Sequence, residues 1–434
     1  MSRTGHQSLE WPAWVLLPVV IGYLTMSRTF AYLGIAPLYI GEATLGLLLF
    51  FRPGMILGTW LGAQWHSKFY SRLADLAFVF VAYGLLQCVR GLVRQPYPMI
   101  ALQNFAFNVY IAFLFAGMWL GDRHPNLLPK AMWYIAWANG LYGVVYLAML
   151  GSAVSTYEIE SGAVQPYGQP CGTAFAILGL LAFERNLWRA IVPLLLNAFV
   201  LLGVQMRAEW LSFAVALVAL SFLMGRVSRL AWGVAALAGL LLLGTMINFE
   251  VPAPTGRSGV VSSHEILGRA IASVDEQTAY QFTPNAATYS GTVEWRTRWW
   301  RELIGVAHAD AVSMLFGKGY GFPIWEYNEL DGIVPTPHNI FVYVLVYTGW
   351  VGVLVFYALQ FCLARLLWIA YRVSGQPFGL ALWILSFVWA HFDNRLETPF
   401  GAIPFYVLVG MALTSAMAAT RDSPSATASS AVGA

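Results

Sequence analysis

Residues 100–120 read IALQNFAFNVYIAFLFAGMWL, twenty-one positions without one Asp, Glu, Lys, Arg or His. A run of about 20 apolar residues is what one helix needs to cross the roughly 30 Å hydrocarbon core of a bilayer. Runs of this kind recur from end to end. Twelve candidate spans can be read, at residues 13–26, 35–51, 73–89, 100–120, 131–150, 171–183, 190–205, 210–224, 230–247, 351–371, 380–392 and 401–418. Several are too short to cross, so their ends must reach into the flanks. Residues 55–65 are apolar but shorter still, and read as re-entrant or interfacial.

Composition agrees. Of 434 residues, 59% are hydrophobic and only 10% charged, with mean hydropathy +0.63. A soluble domain carries about 25% charged residues, so this chain cannot cover a globular surface with ions. That excludes a soluble enzyme, a disordered chain and a disulfide scaffold. With 24 Lys and Arg against 21 Asp and Glu, nothing suggests a nucleic-acid partner. Cys88, Cys171 and Cys362 fall in or beside apolar runs without ligand spacing, as packing residues do. The expectation is an all-α polytopic membrane protein of about twelve transmembrane helices, with membrane lipids as its solvent.

Residues 1–247 would hold helices one to nine, 248–337 a large outer loop, and 338–419 helices ten to twelve. Residues 420–434, rich in Ser, Ala and Thr, read as a disordered tail. The first span lacks a small-residue cleavage site followed by a soluble region, and so is not expected to be a removable signal peptide. With the N-terminus inside, thirteen Lys and Arg fall on the cytoplasmic side and five in short outer loops, so both termini are expected in the cytoplasm. No internal repeat is visible, which gives an inverted-repeat transporter no support.

The outer loop opens irregularly and then offers a short helix over 264–274, with Ser263 as its cap. A second helix is expected over 292–307, crowded with Trp295, Trp299, Trp300, Arg296, Arg298 and Arg301. Phe316-Gly317-Lys318-Gly319-Tyr320-Gly321 reads as a turn, since it lacks P-loop spacing. Arg90 and Arg94 share one short outer loop, and Arg207 sits in a tight outer turn beside Glu209. Each could cap a helix or pair with a carboxylate. Alternatively they form an anion site, because a guanidinium donates two parallel hydrogen bonds to phosphate. The tryptophans are equally readable as interface anchors or sugar platforms. Glu42, a carboxylate within a span, is either functional or paired. His338, at the outer loop's return to the membrane, is of a type suited to take a proton from an alcohol.

His338-Asn339, nine residues, then Gly349, two residues and Gly352 resembles the signature of the O-antigen ligase family. That family is related to Wzy-type O-antigen polymerases and protein O-oligosaccharyltransferases. Its arginine in a tight periplasmic turn is matched by Arg207. Its loop arginine before a tryptophan and a Phe-Gly-x-Gly-x-Gly stretch is matched by Arg296, Trp300 and residues 316–321, with Arg298 a competing match. Met206 and Ala208 stand where the family usually has Ser and Gly.

The resemblance implies a GT-C-like glycosyltransferase of the bacterial inner membrane, with its active site at the periplasmic face. The donor would be an undecaprenyl-pyrophosphate-linked glycan and the acceptor lipid A–core, a growing glycan or a protein hydroxyl. His338 would be catalytic, Arg207 and Arg296 would bind pyrophosphate, and Arg90, Arg94, Arg298 and Asn339 are possible substrate contacts. No cofactor or metal is implied, and the transfer would invert the anomeric carbon. A transporter for the same carrier is the rival, but it has no need of a 90-residue outer loop.

Overall fold

The computed structural model describes residues 9–35, 38–66, 68–150, 157–159, 162–164, 167–226, 250–252, 260–328 and 336–421. Helix α1 (Trp11–Ala31) is followed by a two-residue hairpin, β1 (Gly34–Ile35) and β2 (Leu38–Tyr39), and by α2 (Ile40–Phe51). A π-helical turn, Gly54–Gly58, and α3 (Thr59–His66) lead into α4 (Lys68–Arg94). Next come α5 (Pro98–Val109), α6 (Ala112–Arg123), α7 (Leu127–Val145) and the small pair β3 (Tyr157–Ile159) and β4 (Gly162–Val164). Then follow α8 (Thr173–Phe183), α9 (Leu187–Gly203) and α10 (Arg207–Leu223). Beyond the hairpin of β5 (Val251–Pro252) and β6 (Val260–Val261) lie α11 (Ser263–Ile271), α12 (Glu276–Ala279), α13 (Ala286–Ala307) and α14 (Ala311–Phe316). The chain closes with α15 (Ile340–Ser374), α16 (Phe378–Ala390) and α17 (Pro399–Arg421).

The architecture is all-α apart from these hairpins and membrane-like, but the expectation of about twelve crossings fails. Among the described residues, five helical segments are long and apolar enough to span: Trp11–Ala31, Tyr70–Arg94, Pro98–Arg123, Leu127–Leu150 and Ile340–Ser374. A sixth exists if the pair Ile40–Phe51 and Gly54–Gly62, bent by 84°, counts as one. The other apolar runs form shorter helices, such as Thr173–Phe183, Phe378–Ala390 and Pro399–Thr414. An apolar run sheathed by other helices reads in sequence like one facing lipid. Residues 401–411 of α17 are buried throughout, and α17 packs most extensively against α6. The run 230–247 and the tail from 422 lie outside the described residues.

The sharp turn after Phe51 agrees with the short segment read over 55–65. Helix α11 begins one residue earlier than expected, with Ser262 rather than Ser263 as cap, accepting from the Glu265 amide at 3.1 Å. Glu42 has a structural place: it accepts from the Tyr110 hydroxyl at 2.5 Å and the Tyr39 amide at 3.2 Å.

Two of the sequence motifs explain one another. Helix α15 breaks at Gly349, whose φ of +67° suits glycine alone. The break leaves carbonyls of the preceding turn without their helical partners. The glycine run supplies substitutes: Lys318 N–H donates to Val346 O at 2.8 Å and Gly319 N–H to Tyr347 O at 3.0 Å. The Tyr83 hydroxyl takes Thr348 O at 2.6 Å. A methyl group on Gly349 would run into the Leu315 carbonyl and the Gly317 amide. The first half of α15 is thus a separate short helix wedged on the glycine turn, with His338 at its head.

Candidate active site

Asn339 caps α15, its side-chain oxygen accepting from the amides of Phe341 at 3.0 Å and Val342 at 3.2 Å. Such a cap contributes about 1 kcal/mol and fixes where the chain turns. His338, just ahead of it, has φ +55°, a conformation costing a residue with a Cβ about 1–2 kcal/mol. Its flank is tied down too, since the Trp300 indole of α13 donates to Pro337 O at 2.6 Å. The histidine is therefore held, by neighbours on both sides, in a place the chain would not choose freely.

The imidazole meets a carboxylate. His338 Nδ1 lies 2.9 Å from Asp393 Oδ1, in the connection between α16 and α17. Since the carboxylate accepts, Nδ1 carries the proton and Nε2 is the basic nitrogen. Among the described residues no hydrogen bond occupies Nε2. The side chain of His338 is 22% exposed and that of Asp393 15%, so the ring covers the carboxylate. Burial alone would raise the Asp393 pKa. The hydrogen bond from His338, and the charges of His338 and Arg296, more than reverse this and hold it below the ordinary carboxylate range. Two other histidines at this end differ. His391 gives Nδ1–H to Phe387 O at 2.7 Å and receives the Tyr357 hydroxyl on Nε2 at 2.7 Å. His308 Nδ1 is on Ile304 O and its Nε2 receives the Trp350 indole. Neither keeps a nitrogen for substrate.

Arg296 stands one turn before Trp300 on α13 and donates Nη1 to Phe392 O at 2.7 Å, beside Asp393. Its Nε is buried with no partner among the described residues, a deficit of about 1–3 kcal/mol that an incoming acceptor would relieve. Arg298, two residues on, points roughly 200° round the helix and is exposed. Of the two competing loop arginines, Arg296 is the one whose side chain reaches the connection that carries Asp393.

Arg207 begins α10 and reaches the same helix elsewhere, donating to Ser273 Oγ at 2.8 Å and to Tyr289 O at 3.0 Å. Tyr289 and Arg296 are two turns apart, about 10 Å along α13. Arg90 holds the glycine turn, with Nη1 on Phe316 O at 2.7 Å and Nη2 on Gly317 O at 3.1 Å. Arg94, exposed in the last turn of α4, is its neighbour. The tryptophans are internal anchors: Trp295 donates to Asn328 Oδ1 and Trp299 to Ile324 O.

The sequence reading missed Asp393. A signal was present, for residues 393–397 read DNRLE, three charges in five positions of a chain that is 10% charged. The other two charges lie deeper. Arg395 is buried between Trp389 and Phe175, 4.3 and 4.8 Å from the ring centres, and donates to Cys171 O. Glu397 is buried, and among the described residues no geometric hydrogen bond reaches its oxygens; burial raises its pKa well above the usual carboxylate range, against smaller opposing contributions from the backbone at Leu396 and Glu397. Glu209, beside Arg207 in sequence, turns inward to the Thr173 hydroxyl at 2.5 Å. Among the described residues no group of three or more His, Cys, Asp or Glu side chains is arranged to hold a metal ion.

A histidine with one nitrogen oriented by a carboxylate and, among the described residues, no hydrogen bond on the other, beside a guanidinium with a donor unmet among those residues, can deprotonate a hydroxyl near a phosphate. Residues 192–357 match the O-antigen ligase family model. The matched stretch takes in Arg207, Arg296, the glycine run and His338 but ends before Asp393. At the level of the family, the match supports a glycosyltransferase-like enzymatic role in a membrane-embedded helical protein. No curated protein matches the chain.

Proposed function

We propose that this protein transfers a glycan from an undecaprenyl pyrophosphate carrier to an acceptor hydroxyl at the periplasmic face of the inner membrane, as an O-antigen ligase acting on lipid A–core. The observation that carries the reading is the His338–Asp393 pair, with no hydrogen bond on Nε2 among the described residues, one residue from the carbonyl that holds Arg296. Asp393 stays ionised, fixes the proton on Nδ1 and stabilises the imidazolium formed at the transition state. His338 Nε2 accepts the proton of the attacking hydroxyl. The hydroxyl oxygen bonds to the anomeric carbon as the carbon–oxygen bond to pyrophosphate breaks, and the electron pair leaves with the phosphate. Attack opposite the leaving group inverts the anomeric carbon.

Pyrophosphate needs no proton to depart, only positive charge, which Arg296 supplies in a poorly solvated place. Arg207 joins it by exchanging its Ser273 contact for the distal phosphate. No metal takes part in this step. The test is reconstitution of purified protein in vesicles with a polyprenyl-pyrophosphate glycan and, separately, lipid A–core, free glycan and a Ser/Thr-rich polypeptide. Glycan transfer to lipid A–core is expected. Transfer only to glycan or only to polypeptide would replace the acceptor assignment, and consumption of donor with none of the three would overturn the transferase reading.

A further inference from the structure

The short helix α14, which leads into the glycine turn, keeps one face uncovered. Its cap is Asp310, which accepts from the Ser313 amide at 2.8 Å and the Ser313 hydroxyl at 2.6 Å, and Ser313 is buried. Val312, Leu315 and Phe316, at the i, i+3, i+4 spacing of one helix face, are instead 56%, 43% and 43% exposed. The backbone beneath them is fixed on both sides. The Leu315 carbonyl lies against Gly349 of α15, and the Phe316 carbonyl accepts from Arg90 of α4 at 2.7 Å. Both neighbours belong to segments long and apolar enough to span, Tyr70–Arg94 and Ile340–Ser374. Val89 and Val93, within a turn of Arg90, and Trp350 and Leu354, just beyond Gly349, are exposed too, as positions that a spanning helix turns to lipid are.

We propose that α14 is an interfacial helix, its Val312, Leu315 and Phe316 face immersed among the acyl chains of the leaflet on the side of the candidate site. The bilayer is the occupant because this face continues the exposed apolar faces of α4 and α15 across the ends of both, and contiguous apolar surface of this kind marks contact with a membrane or a partner. Trp350 marks the level. Its indole N–H is directed at His308 Nε2, 3.3 Å away and just ahead of α14, the half-wet setting that tryptophan takes at a membrane–water boundary. Polar groups border the face, with Asp310 and Lys318 paired at 3.4 Å and Arg94 exposed in the last turn of α4. Through its carbonyls α14 holds the glycine turn against the break at Gly349. The bilayer therefore sets the height of the short helix that His338 heads, whatever reaction the site performs.

The test uses the full-length chain in palmitoyl-oleoyl phosphatidylcholine vesicles, with Cys88, Cys171 and Cys362 replaced by alanine. A nitroxide is attached to a single cysteine introduced as Val312→Cys, Phe316→Cys or, for contrast, Val274→Cys, a position 92% exposed beyond α11. Power saturation then compares collisions with oxygen, which concentrates in hydrocarbon, and with a water-soluble nickel chelate. Oxygen is expected to dominate at 312 and 316, at a depth of about 5–10 Å, and the chelate at 274. Should the cysteine-free chain fail to fold, hydrogen exchange of the parent sequence in the same vesicles decides. Phe316→Gln is expected to speed exchange over residues 317–320 about threefold or more, and Phe316→Leu to leave it at the parental rate. Dominance of the chelate at 312 and 316, exclusion of both reagents there because a second copy covers the face, or parental exchange in Phe316→Gln would each overturn the proposal.

Discussion

Asp393 and Glu397 are two carboxyls four residues apart with opposite fates, and each carries a prediction. The Asp393 pKa is depressed in the folded protein, so its contribution to stability is complete above the ordinary value of about 3.9 and is lost as pH falls towards the folded value. Asp393→Asn is expected to be less stable than the parent at pH 7, with the deficit shrinking below about pH 4 in denaturant titrations. Its transfer rate is expected to fall about 10²-fold or more, because the amide can stabilise neither the imidazolium nor the required tautomer. Glu397 has a raised pKa, so ionisation of the unfolded chain works against folding as pH rises above about 4.3. Glu397→Gln is expected to be at least as stable as the parent at neutral pH, with an advantage that grows as pH rises. A loss of stability at pH 7 would show that Glu397 is needed as an ion. Arg296→Lys keeps charge but loses the planar edge that carries Nε. It should lower kcat/KM at least tenfold while melting within a few degrees of the parent.

Among the elements, the broken helix α15 is the piece on which the site depends. Gly349→Ala forces alanine into a left-handed conformation, at about 1–2 kcal/mol, and drives a methyl into the Leu315 carbonyl. Its thermal loss is expected to exceed that of Asn339→Ala, which removes a cap worth about 1 kcal/mol. Asn339→Asp should recover most of the latter loss, whereas a structural role limited to burial would not be rescued. Much of this element was legible: glycines at 317, 319, 321, 349 and 352 signal tight backbone, and His338 beside Asn339 marks the entry to the helix. That the glycine run fills the hydrogen bonds vacated at Gly349 was not legible, because it depends on two segments meeting thirty residues apart. Asp393 escaped for the same reason. Nothing local to His338 names a partner fifty-five residues downstream, and only the density of charge over 393–397 marked that connection.

For the whole molecule, sequence gave the class and overstated the crossings. Mean hydropathy reports that residues avoid water; whether lipid or other helices cover them depends on packing, and α8, α16 and the buried α17 are shielded largely by protein. Charge nevertheless marks two ends. Glu10 pairs with Arg52 at 3.5 Å and Arg123 at 3.8 Å, joining the starts or ends of α1, α2 and α6, while Arg90, Arg296 and His338 gather at the other. Single cysteines at positions 53 and 125 in a cysteine-free background are expected to react with an impermeant maleimide from one side, and cysteines at 96 and 298 from the other. Labelling of all four from one side would refute this polarity. The central claim is that the His338 Nε2 takes the acceptor's proton, and single-turnover transfer by His338→Asn, whose side chain tolerates the left-handed backbone, tests it most directly. The account predicts a rate about 10² to 10⁴ below the parent, with donor affinity within about threefold. Transfer at the parental rate would contradict it.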